Sequence, residues 1–324
     1  MTGRDFLVIV PGGLNVDIIG QGVERIIESG ELTLGGQLHI GPGGKARNMA
    51  QMAAAFLGPD RVAMIGRTSQ DPFGLWKVPF QSLKNAGVNI EHIKIMSFRE
   101  AGHTYPGVAL IPVDKHGKNQ IYVLPGANQD FSKKDVDDAR ALFEGSGQKT
   151  MILALEIPME TAAYCLEKAA SKGLRVILDP GGISGPIDDI LDEKIFLIKP
   201  NVHETKILTG IAPVDKGTAK KAAEKWIAQG IQNVFITSGE RGGYLINREL
   251  CLRIPCPPVK DTGIHDETGC GDQVTAIVAS CLAEGESLLN AARLAIRAGT
   301  LQFYRAGIQP IHRKDLSENV PIGE

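Results

Sequence analysis

Apolar residues along the chain fall into short, nearly unbroken runs. Phe6 to Val10 is the first, broken at Pro11-Gly12-Gly13, and the runs MILALE, RVILD, IFLIKPN and NVFITSG follow from Thr150 onward. Their length and Gly or Pro boundaries predict core strands. Stretches of helical pattern lie between them: Lys45 to Leu57, stopped by Gly58-Pro59, then Glu160 to Lys172 and His203 to Thr209. Strand and helix in alternation predict βαβ crossovers, hence an α/β fold with a doubly wound, mainly parallel sheet and helices on both faces.

The pattern changes between about Gly102 and Ala127. GVALIPV and NQIYVLP are two strand-like runs around Asp114-Lys115-His116-Gly117, a turn sequence. A hairpin is expected there. Together with extended residues from Leu32 to Ile40, it predicts a small second sheet standing off the main one, a lid built from about 14–40 and 100–127. No repeat, low-complexity segment or linker divides the chain, so residues 1–324 are expected to form one domain. A small sheet away from the core leaves one face to be covered, which predicts a homodimer through the lid.

Composition narrows the class. Of 324 residues, 43% are hydrophobic and 22% charged, values of an ordinary globular protein rather than a disordered or membrane one. Lys plus Arg total 35 against 37 Asp plus Glu, a formal charge of -2, so no basic field points to nucleic acid and a small-molecule partner is expected. No apolar run approaches the roughly 20 residues of a membrane span. The opening residues lack a basic region followed by an apolar stretch, which makes the cytoplasm the default location. The five cysteines form no CxxC pair and no zinc spacing, and are expected as reduced thiols.

Two segments carry chemistry. In DETGCGDQVTAIVASCLAEG, Asp266 to Gly285, two glycines precede an aspartate that opens a long helix. Gly269 and Gly271 let backbone N–H groups converge, and the helix N-terminus adds partial positive charge, together an anion site. Asp272 then stands beside a bound phosphate, placed either to accept a hydroxyl proton or simply to cap the helix. In GPGGKARNMAQMAAAFLG, Gly41 to Gly58, a Gly-Gly turn enters a helix. There Lys45 and Asn48 offer donors and an acceptor for hydroxyl groups.

Together these segments resemble the ribokinase-like, or phosphofructokinase B, family of carbohydrate kinases, and the resemblance covers nearly the whole chain. GGLNVDIIG is similar to the family's opening strand and loop, GGKARNMA to its first signature and DETGCGD to its second. HTYPGVALIPVDKHGKNQIYVLPGAN resembles its lid strand and following loop. The resemblance implies an ATP-dependent kinase acting on a primary hydroxyl of a sugar, with ribose as first candidate and a nucleoside, another sugar or a sugar acid as runner-up. Asp272 is the implied base, with Gly269, Cys270 and Gly271 as the anion hole, Cys270 through its backbone N–H. Asn15, Asp17, Gly43, Gly44, Lys45, Asn48 and, from LALEIP, Glu156 are the implied sugar contacts. KPNVHETKILTG places Asn201 and Glu204 in the family's Asn-x-x-Glu element, where Glu204 would organise Mg2+ through water. ITSGERGGYLI places Thr237, Gly239 and Gly242 at the nucleotide.

Two departures bear on this picture. Arg47 stands directly before Asn48, where the family pattern has small residues. It is expected at the surface in a salt bridge, the other reading being recognition of an anionic or larger substrate. Asp266 and the carbonyl of Thr268 match part of a monovalent-cation site for potassium, but Ile311 occupies a position held there by serine. Other classes fit less well: the loop after the first strand lacks GxGxxG of a dehydrogenase, and no GxxxxGK followed by Ser or Thr occurs. A non-catalytic sugar sensor would be expected to lose the base or the anion hole, and this sequence retains both.

Overall fold

A computed structural model describes residues 6–144, 148–183 and 186–316. In chain order its strands are β1 (Val8–Pro11), β2 (Asn15–Val23), β3 (Gln37–Gly43), β4 (Val62–Ser69), β5 (Asn89–Met96), β6 (Gly107–Asp114) and β7 (Tyr122–Leu124). β8 (Thr150–Ala154), β9 (Arg175–Asp179), β10 (Ile195–Ile198), β11 (Asn233–Thr237), β12 (Gly243–Ile246) and β13 (Cys251–Ile254) complete them. The helices are α1 (Lys45–Leu57), α2 (Lys77–Asn85), α3 (Lys133–Asp138), α4 (Met159–Ser171), α5 (Val202–Thr209), α6 (Lys216–Ala228), α7 (Cys270–Ala283), α8 (Leu288–Phe303) and α9 (Arg313–Leu316).

Nine strands form the main sheet in the order β13-β12-β11-β10-β9-β8-β1-β4-β5. The unbroken apolar runs have a direct cause. Val8 and Val10, with Ile152 and Ala154, pack into a core under α1, α7 and α8. Their neighbours Ile9, Met151 and Leu153 point the other way, into a second core under α4 and α6. With both faces covered, no position in these strands is left for a polar residue. The sheet departs from the parallel expectation at one edge, where β12 pairs antiparallel with β11 and β13 with β12. Only residues 238–242 separate β11 from β12, too few for a crossover and enough for a hairpin.

The second sheet has four strands in the order β3-β2-β6-β7. Its boundaries differ from the expected ones. β3 begins at Gln37, because Gly35 and Gly36 adopt φ of 95° and 84°, and Leu32 and Leu34 fall outside the strand. Of NQIYVLP, Tyr122–Leu124 forms a strand on β6, and Asn119 adds an isolated bridge to Val113 beside the anticipated turn at Asp114. No helix among the described residues is long and apolar enough to cross a membrane.

Candidate active site

Strand order locates a crevice before any side chain is considered. From β1 the chain runs outward to β4 and β5, then returns to β8 on the other side of β1. Loops leaving β1 and β8 therefore diverge, and the gap at their carboxyl ends is where open α/β sheets bind ligands. A cavity of about 440 Å3 lies there, lined by Asn15 beyond β1, Leu155, Glu156 and Ile157 beyond β8, Asn128, and Val123 of the small sheet.

α7 packs against α1, and their first turns meet beside Glu156 of the cavity lining. Gly269 precedes α7 in the left-handed region (φ 74°), a conformation that glycine adopts without steric cost. Asp272, buried in the first turn, is held at both oxygens: Lys45 Nζ donates to Oδ1 (2.6 Å) and Asn48 Nδ2 to Oδ2 (2.8 Å). The Lys45 backbone N–H donates to Glu156 Oε2 (2.8 Å). Asp17 lies so close over Gly43 that an added Cβ there would stand 1.8 Å from its Oδ1, which explains glycine at that position. Asn15 joins the group through Asn128, whose Nδ2 donates to Asn15 Oδ1 (2.8 Å). Asp17, Gly43, Lys45, Asn48, Glu156 and Asp272 are thus brought together from five segments, with Gly44 as the residue before α1.

Burial and charge set their protonation. Burial, assisted by Asp272, pushes Asp17 up to about 6 against the pull of Arg47. Burial likewise pushes Glu156 up to about 7, opposed by Lys45. Burial disfavours charge on Lys45, but Asp179 and Asp272 outweigh it and hold the ammonium well above its ordinary range.

Asp179, Lys199 and Thr275 belong to this site, and the sequence did not single them out, although all three fall inside quoted segments. Asp179 ends β9 fully buried, with Lys45 Nζ 3.4 Å from Oδ1 and Lys199 Nζ 3.1 Å from Oδ2. Thr275 Oγ1 donates to Oδ2 (2.8 Å) and Gly181 N to Oδ1 (3.0 Å). Against the cost of burial, the two lysines hold the Asp179 carboxyl below the usual carboxylate range. A Cβ added to Gly271 would stand 3.4 Å from Lys199 Nζ, so this second ammonium lies at the start of α7. The signal available was position alone: both residues sit at or just beyond the carboxyl end of a core strand, in RVILD and IFLIKPN.

The remaining residues lie further along the same edge. Asn201 and Glu204 form a reciprocal capping box at α5, each backbone N–H donating to the other's side chain at 2.8 Å. Glu204 also raises the proton affinity of Lys45. One carboxylate facing the site suits Mg2+, which keeps most of its waters and draws further ligands from phosphate oxygens. Thr237 pairs with Asn201, and its N–H donates to Pro200 O (2.9 Å). Gly239 and Gly242 form the turn after β11, two strands from β9 in the sheet order. Cys270 N–H turns back to Glu267 O (3.2 Å), so the free first-turn amides of α7 are those after it, at Gly271 and Asp272. Burial pushes the Cys270 thiol up to about 12. Both Asp266 oxygens accept backbone amides, from Thr268 and Gly307. The carbonyls of Thr268 and Gly307 both accept from Gln302 Nε2, at 3.3 and 2.6 Å. Each carbonyl thus gives one of its two lone pairs to a side-chain donor.

Arg47 corrects the expectation of a surface residue. It is fully buried and makes no ion pair among the described residues. Its five N–H donors instead reach neutral acceptors: Gly43 O (3.3 Å), Pro42 O (2.7 Å), Ser82 Oγ (3.3 Å), Gln51 Oε1 and Asn48 Oδ1. Burial lowers its pKa to about 10, while Asp17 and Asp272 attract its charge.

Residues 6–313 match the profile of the pfkB family carbohydrate kinase. The chain belongs to this family. A pfkB relative, the ribokinase of Haemophilus influenzae, is 30% identical over 93% of each chain, and that of Schizosaccharomyces pombe is 29% identical over 93% of this chain and 92% of its own. Among solved structures, ribokinase from Thermotoga maritima superimposes with a TM-score of 0.80 at 26% identity, covering 96% of this chain and 98% of that one. Arabidopsis thaliana ribokinase complexed with ribose and ATP gives 0.80 at 25% identity, over 95% and 96%. As a pfkB member the chain is a phosphotransferase with a sugar alcohol group as acceptor, and its fold is that of the ribokinases.

Proposed function

We propose that this protein transfers the γ-phosphoryl group of ATP to a hydroxyl of a neutral sugar, with ribose the first substrate to test. The observation that carries the reading is Asp272: a buried carboxylate, fixed at both oxygens, in the first turn of a helix that opens on a left-handed glycine. The sugar enters the cavity under the small sheet, which Asn15 and Glu156 line, and reaches from there to Asp17 and Asn48 of the Asp272 cluster. Its reacting hydroxyl gives its proton to Asp272 as the oxygen attacks phosphorus. Charge on the transferred group is met by the first-turn amides of α7 and the ammonium groups of Lys45 and Lys199. Glu204 would hold Mg2+ through water, and that ion would offset charge on the triphosphate. Thr237, Gly239 and Gly242 contact the nucleotide, and β2, β3, β6 and β7 act as a lid on one domain.

The test is ADP release from MgATP across a panel of pentoses, hexoses, nucleosides and sugar acids. Turnover is expected with a neutral sugar. ADP release no faster than without acceptor, across the whole panel, would overturn the proposal.

A further inference from the structure

Arg47 is the group in this site that the chemistry above does not use. A buried guanidinium without a carboxylate partner is expensive, since the charge leaves water and gains no opposite charge in contact. Five hydrogen bonds to three segments of chain make it tolerable: the end of β3, the first half of α1, and Ser82 of α2. A purely structural clamp could be built more cheaply from an apolar side chain.

The decisive contact is with its neighbour. Arg47 Nη2 donates to Asn48 Oδ1, and Asn48 Nδ2 donates to Asp272 Oδ2. A carboxamide can be turned over with little change in shape, and nothing in Asn48 alone selects one orientation. Its two neighbours do. A guanidinium has only donors, so the amide oxygen must face Arg47; a carboxylate has only acceptors, so the amide nitrogen must face Asp272. We infer that Arg47 is a positioning residue for phosphoryl transfer, locking the Asn48 amide so that it fixes the second oxygen of Asp272, as Lys45 fixes the first. This rests on the assignment of Asp272 as base. A corollary follows for substrate: Asn48 has one N–H left to donate to a sugar hydroxyl.

The experiment uses the full-length protein and four variants, Arg47→Met, Arg47→Lys, Asp272→Asn and Arg47→Met/Asp272→Asn, each with kcat, both KM values and melting temperature. Methionine fills similar volume without donors. Lysine keeps the charge and stem, and so the fold, but cannot reach the five acceptors together. Arg47→Met is expected to lower kcat about 10- to 100-fold, the worth of one charge-assisted hydrogen bond in the transition state, with KM for ATP within about twofold. Arg47→Lys should show most of this loss, together with some fall in melting temperature, because lysine leaves part of the five acceptors without a donor. In the Asp272→Asn background, Arg47→Met should cost nothing further, because its effect passes through the base. A kcat within about twofold of wild type in either single variant would overturn the inference, as would losses that multiply in the double variant. Near-normal turnover in Asp272→Asn alone would instead remove the base itself, whatever the Arg47 variants do.

Discussion

Two carboxylates of the site make separable predictions at the level of the residue. Asp272→Asn should lower turnover by roughly 10²–10⁴-fold, the usual worth of a positioned general base. It should leave melting temperature and nucleotide affinity nearly unchanged, since Lys45 keeps Asp179 as a partner and Asp272 makes no cap bond to α7, whose N-cap is Gly269. A helix cap alone would give the opposite outcome. Glu156 titrates near pH 7 when folded and near 4.5 when unfolded. Between those values the folded state binds a proton that the unfolded state has lost, so this group favours folding fully below about pH 4.5, and the contribution fades as pH rises through 7. Asp17, raised to about 6, acts in the same direction. Melting temperature of the ligand-free protein should therefore decline from pH 5 to 8 less steeply in Glu156→Gln than in wild type. Equal slopes would show that Glu156 does not carry this proton. What the sequence could and could not tell follows from the chemistry of each side chain. Asp272 was legible because two glycines and a helix start announce what an aspartate there can do. Arg47 was not, because its burial depends on acceptors at residues 42, 43, 51 and 82 that no local pattern ties to it. Asp179 and Lys199 were invisible for a related reason: each looks like an ordinary strand end until the other is beside it.

Among elements, those with a strong local signal were legible: α1 runs from Lys45 to Leu57 as its apolar spacing and the Gly58-Pro59 stop require, and β9 is RVILD from end to end. β4 and β5, at one edge of the main sheet, were passed over, and β3 was displaced by five residues at its start, because in the small sheet pairing rather than apolar content decides which residues are extended. α5 carries a test of the metal assignment. In Glu204→Gln the amide oxygen can still accept from Asn201 N–H, so the capping box and the fold should persist while a charge facing the phosphates is lost. The Mg2+ concentration for half-maximal activity should rise. An unchanged requirement would leave Glu204 as a helix cap and nothing more. At the start of α7 and the end of α8, Gln302 donates to the carbonyls of Thr268 and Gly307, and Ile311 stands where the family pattern has serine, so turnover in KCl, NaCl and tetramethylammonium chloride at equal ionic strength should agree.

The molecule as a whole presents one surface that asks for a partner. A single rung across the small sheet aligns Ile40, Ile18, Leu110 and Tyr122, and Leu38 and Leu124 lie on the same face. Tyr122 and Leu38 are 55% and 68% exposed. The adjacent rung, Gly41, Asp17, Ala109 and Val123, turns to the opposite face, where Asp17 meets Gly43 and Val123 lines the cavity. So contiguous an apolar face on a sheet standing clear of the core is best covered by a second copy. Light scattering at micromolar concentration should return about twice 34.7 kDa, and Leu110→Asp should return the monomer. A monomeric wild type would refute this. The pairing of α1 with α7 has a consequence of another kind, in time rather than space. Lys45 and Asn48 lie 227 and 224 residues before the carboxylate they hold. In a chain made from its amino terminus, α1 emerges with Met49, Met52 and Ala53 bare, ahead of the α7 residues that share their core, and waits through most of synthesis. Closing so long a loop is slow to be repaid by contacts, which places the docking of α7 late in folding. The step that finishes the core is then also the step that delivers the base to its two holders, so a partly folded chain has no means of catalysing anything.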